Sequence, residues 1–152
     1  MSTSDRVAIK ELVQTTLTAA FSASATLTDV VVHYGDPGEL IGNHMVILGQ
    51  MNGTFDDDVV KSRSAGGTDR FTIQAEILTT NHPDALTADR KAQDILDVVN
   101  AAIFTTSFLQ SLNGRCEKGK QDGPNSVPPY DGNPAASVVE FDIGVAVPVR
   151  GA

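Results

Sequence analysis

Apolar side chains recur along the chain with two different periods, and the changes from one to the other outline its elements. Ile9, Leu12, Val13, Leu17, Ala20 and Phe21 fall on one side of a 3.6-residue spiral, with Ser4 or Asp5 placed to cap it, so a helix is predicted over about residues 5–22. A second stripe, Ala88, Ala92, Ile95, Leu96, Val99, Ala102 and Ile103, opposes Asp89, Arg90, Lys91, Gln93, Asp94, Asp97 and Asn100. This helix, capped by Asp84 or Thr87, needs a sheet to lie on.

The strands follow from β-branched runs and strict alternation. Residues 29–34 form a short run of Val30, Val31 and Val32 stopped by Gly35-Asp36-Pro37-Gly38. In residues 44–51, Met45, Val46, Ile47 and Leu48 lack alternation, which suits a strand covered on both faces and ended by the turn dipeptide Asn52-Gly53. Residues 70–79 set Phe71, Ile73, Ala75 and Ile77 against Thr72, Gln74 and Glu76, which predicts one wet face. Residues 137–149 hold the longest alternation, with Val139, Phe141, Ile143, Val145 and Val147 on one side and Glu140, Asp142, Gly144 and Ala146 on the other.

Two stretches fit neither period. Residues 54–69 are polar, with Asp56, Asp57, Asp58 and Gly66-Gly67, and residues 119–136 hold Pro124, Pro128, Pro129 and Pro134, so both are expected as exposed loops. The proline-rich stretch is either an extended arm reaching onto a neighbouring subunit or plainly disordered chain. The expected fold is α+β: one domain over 1–152, a mostly antiparallel sheet of about four strands covered by two helices, and long polar loops.

Composition narrows the function. No Trp and only six Phe and two Tyr leave a core of Val, Ile, Leu and Ala. The single Cys116 excludes an internal disulfide and a cysteine-rich metal site, and reads as a small buried or half-exposed residue. The N-terminal MSTSDRVAIKELV lacks the basic and apolar regions of a signal peptide, and no run is apolar enough to span a bilayer, so a reducing cytoplasm and no membrane are expected. A formal net charge of −8 with scattered basic residues argues against gripping nucleic acid. It suits solubility, and equally a surface that DNA passes without sticking.

Motifs for chemistry are sparse. His33, His44 and His82 lack metal-site spacing and read as solvated or hydrogen-bonded histidines; the aspartates 56–58 lack the alternate ligands and central Gly of a calcium loop. Gly35–Gly38 and Gly119-Lys120 lack the spacing of a phosphate loop, and no GxSxG elbow is present. Glu140 and Asp142, on one strand face, are the best carboxylate pair for acid–base work, although the polar face of an edge or intersubunit strand uses the same residues. No catalytic residue, cofactor or metal is expected, and the chain reads as no enzyme.

The order of elements resembles the tail terminator family of long-tailed bacteriophages. The resemblance is carried by Val30-Val-Val-His-Tyr-Gly35, Met45-Val-Ile-Leu-Gly49, Arg70-Phe-Thr-Ile-Gln-Ala-Glu-Ile77, the helix 88–99 and Val138-Val-Glu-Phe-Asp-Ile-Gly-Val145. It implies a structural virion protein, made in the host bacterial cytoplasm, that forms a homo-oligomeric ring, a hexamer, at the head-proximal end of the tail. The ring would stop polymerisation of the tail tube protein and present a surface to the head-tail connector protein, with DNA passing through unbound. Ring closure needs complementary patches on different flanks, and the two polar stretches are where these are expected. Candidate subunit contacts are Asp56, Asp57, Asp58, Arg63, Arg70, Pro128, Pro129 and Tyr130, the charged members steering neighbours together. A tail tube or neck (head-tail connector) subunit would share the same build; a small ligand-binding or enzymatic α+β domain is the alternative of a different kind.

Overall fold

A computed structural model describes residues 5–38, 43–56, 65–104, 108–127 and 134–150. Its elements run α1 (Arg6–Ala23), β1 (Val31–His33), β2 (His44–Asp56), β3 (Ala65–His82), α2 (Ala85–Ile103), a 3₁₀ turn (Gln110–Leu112), β4 (Arg115–Val127) and β5 (Ala135–Arg150). The fold is α+β, as expected, with five strands rather than about four. The sheet has the order β1-β2-β3-β5-β4, parallel between β1 and β2 and antiparallel elsewhere.

Both helices start where a carboxylate can accept from an orphan backbone N–H. Asp5 accepts from Ala8 N at 3.0 Å and Asp84 from Thr87 N at 2.8 Å, which selects Asp5 and Asp84 from the paired candidates. The α1 stripe buries Ile9, Val13, Leu17 and Phe21, while α2 buries Ala88, Ala92, Ile95, Leu96, Val99 and Ile103. Both stripes meet one face of the sheet: Val46 and Leu48 of β2, Phe71, Ile73, Ala75 and Ile77 of β3, and Val139, Phe141, Ile143, Val145 and Val147 of β5 join them in one core. The observed cluster is therefore one helix layer on one sheet layer.

The strands outrun their apolar segments. Of the stretches expected as loops, residues 54–56, 65–69, 119–127 and 135–136 are strand, and 57–64 and 128–133 lie outside the described residues. Antiparallel ladders explain the difference, because cross-strand backbone pairing continues past the core, where hydrophobic alternation no longer reports it. The dipeptide Asn52-Gly53 is likewise no turn but part of the β2–β3 ladder, where Gly53 pairs with Phe71. Only a glycine fits there: a Cβ on Gly53 would overlap the Arg70 carbonyl oxygen and the Phe71 backbone.

β4 was hidden by its composition. Its Pro124 is tolerated because β4 is an edge strand with an unpaired side, and Gly123 takes a φ of +101° that favours glycine. Register shifts between Lys118 and Gln121 and between Asp122 and Asn125 interrupt the β4–β5 pairing. Such irregularities discourage edge-to-edge addition of further strands.

Candidate interaction surface

The alternation that buries one sheet face presents the other. Among the described residues no helix covers this second face, which carries Ile47 of β2, Thr72, Gln74 and Glu76 of β3, Glu140, Asp142, Gly144 and Ala146 of β5, and Glu117 and Asp122 of β4. Register decides which of these meet. Glu76 stands opposite Glu140, and Glu140 opposite Asp122, so three carboxylates form one row across three strands. Directly opposed like charges on neighbouring strands destabilise a sheet, with Cβ atoms only about 5 Å apart.

The surroundings sharpen this. The row lies in a broad open depression of about 900 Å³ whose walls also include Asp36, Asp142 and Lys120. Among the described residues that line it, five are carboxylates and Lys120 alone is basic. Burial, then the charges of Glu140 and Asp36, push the half-buried Glu76 carboxyl above its ordinary value. The same face ends in a different character about 20 Å away, six residues along β3. There Arg70 and Arg115 flank Ala146 in register, and Arg115 pairs with Glu117 at 2.8 Å.

The expected contact residues are dispersed by the structure. Arg70 is exposed on β3 and belongs to this face, whereas Asp56 pairs through its backbone with Thr68 at the end of β2. Asp57, Asp58, Arg63, Pro128, Pro129 and Tyr130 lie outside the described residues. The carboxylate pair expected on β5 is rearranged: Glu140 has closer partners in Glu76 and Asp122 than along its own strand, and Asp142 sits opposite Gln74.

Three buried polar arrangements escaped the reading of the sequence. Lys10, placed on the apolar stripe of α1, is only 6% exposed; its Nζ donates to the Gly49 carbonyl at 2.6 Å and lies 4.1 Å from the centre of the Tyr34 ring. Burial lowers its pKa. Asp69, expected in a polar loop, is fully buried and accepts from Arg6 at 2.6 and 2.9 Å. Arg6 also lies over the Phe71 ring. The histidines divide: His44 and His82 are hydrogen-bonded to each other, whereas the half-buried His33 has its Nε2 buried with no hydrogen-bond partner among the described residues. None of these pairings has a spacing signal, because each joins elements distant in sequence.

Cys116 is half-buried, and burial pushes its thiol up to about 12, so it is protonated and inert as a nucleophile at neutral pH. No group of three or more His, Cys, Asp or Glu side chains converges to hold a metal among the described residues. No helix among them is long and apolar enough to cross a membrane. No protein-family model and no curated protein matches the chain.

Proposed function

We propose that this chain is a structural subunit that works by assembling through the uncovered sheet face into a homo-oligomeric ring. The observation that carries the proposal is the carboxylate row Glu76–Glu140–Asp122. It costs stability in an isolated chain and becomes favourable when a cationic surface covers it, which is the behaviour of an interface rather than of a finished exterior. The complementary surface belongs to a different flank of the next copy, as a contact that closes after a fixed rotation requires.

The order of helices and strands, similar to that of phage tail terminators, extends the proposal to a role. The ring caps the tail tube at its head-proximal end, in the virion, and faces the head-tail connector. The acidic balance of the chain favours passage of DNA without binding. A tail tube or neck subunit uses the same assembly physics, and the partner bound at each side of the ring distinguishes the three.

Glu76 favours a second reading. A half-buried carboxyl with a raised pKa beside another carboxylate, in a depression, is also what a small ligand-binding or catalytic domain offers. Negative-stain electron microscopy of the purified chain, alone and with tail tubes, separates the readings. Closed rings that Glu140→Lys disperses support assembly. Particles that stay single, with Glu140→Lys leaving their size unchanged and abolishing binding of a small cationic ligand, support the second reading.

A further inference from the structure

The start of β2 and the end of β3 bring together two imidazoles that are 38 residues apart in sequence. His44 Nε2 and His82 Nε2 lie 3.3 Å from each other, and the ring centres are 5.3 Å apart with the planes inclined by 30°. His44 is held from its other side: its Nδ1 lies 2.5 Å from Asp29 Oδ2. From these positions we propose that His44 Nε2 and His82 Nε2 form a two-histidine site for a divalent transition metal of the zinc, nickel or cobalt class.

The separation of the nitrogens is the first argument. Two imidazoles on one tetrahedral metal, with metal–nitrogen bonds of about 2.0–2.1 Å, hold their ligand nitrogens about 3.3 Å apart. The observed 3.3 Å fits such a chelate, and in the metal-free chain the same gap is closed by a hydrogen bond between the two rings.

The second argument is the carboxylate behind His44. A hydrogen bond from Nδ1–H to Asp29 leaves the lone pair on Nε2, the tautomer a metal needs, and fixes the orientation of the ring. With no third side-chain ligand converging among the described residues, the remaining positions on the metal belong to water, and oxygen-preferring Mg²⁺ and Ca²⁺ are disfavoured.

The site is independent of the assembly proposed above, and its test does not depend on it. Thermal unfolding of the full chain is followed with Zn²⁺, Ni²⁺ or Mg²⁺, alongside the visible spectrum with Co²⁺ and the imidazole ¹⁵N signals with Zn²⁺. At a hundredfold excess over Kd, Zn²⁺ raises Tm by about 5 °C or more, and Mg²⁺ does not. Zn²⁺ shifts the Nε2 signals of His44 and His82, and not those of His33. The variant His82→Asn, which leaves the Asp29–His44 contact in place, loses the Tm rise and the Co²⁺ absorption, while His33→Asn keeps both. An unchanged Tm and unchanged Nε2 signals with excess Zn²⁺, or the same response in His82→Asn as in the parent chain, overturns the proposal and leaves the pair as a hydrogen bond only.

Discussion

Glu76 on β3 and Glu140 on β5 stand directly opposite each other on the uncovered sheet face. Glu76, held above the ordinary 4.5 by burial and by the charges of Glu140 and Asp36, binds its proton more tightly folded than unfolded. The folded state therefore loses stability as pH rises from about 4.5 through the raised value, and carries the whole cost above it. Glu76→Gln removes that cost. It should stabilise the isolated chain at pH 7 by about 0.5 kcal/mol, modest because solvent still reaches the group, with the gain fading below pH 4.5. Urea unfolding of parent and variant at pH 7 and pH 4 checks this; an equal effect at both pH values excludes the charge explanation.

The Arg6–Asp69 pair fastens the first turn of α1 to β3. Asp69 is fully buried and the Arg6 side chain is 23% exposed. Arg6→Ala leaves the carboxylate without its guanidinium partner, and about 2–3 kcal/mol of stability should be lost, somewhat less than for a pair buried at both ends. In the double variant Arg6→Ala/Asp69→Asn, equilibrium unfolding should recover part of that loss. Simple addition of the two single effects would show that the pair is not coupled.

Gly53 permits the close pairing of β2 with β3. A methyl group there would meet Phe71 Cβ at 2.6 Å and overlap the neighbouring backbone, which cannot rotate away. Gly53→Ala should cost at least about 2 kcal/mol and loosen the Asn52–Asp56 end of β2, read as faster amide exchange from Asn52 onward. Unchanged stability would show that the ladder shifts freely at this point.

Much of the fold was legible because it depends on period. The stripes of α1 and α2 and the alternation of β3 and β5 gave both helices, the core face and the wet face from Ile9 through Val147. β4 was not legible, since Gly119, Gly123 and Pro124 suppress every strand signal in a segment held by pairing to β5 rather than by burial of its own side chains. The candidate surface was half legible: alternation placed Glu76 and Glu140 on polar faces, but register, which makes them neighbours, is a tertiary property. The His44–His82 and Arg6–Asp69 pairs join chain segments 38 and 63 residues apart, with no local pattern to announce them.

The central claim is that copies of this chain cover one another's carboxylate row. Its most direct test is the mass in solution, measured by light scattering across concentration at low and high salt, for the parent chain and for Glu140→Lys. The account predicts a closed multiple of the 16.0 kDa chain, sixfold for the proposed ring, which weakens with salt and is lost in the variant. A single species of 16.0 kDa, unchanged up to millimolar concentration and indifferent to salt and to the substitution, would contradict it.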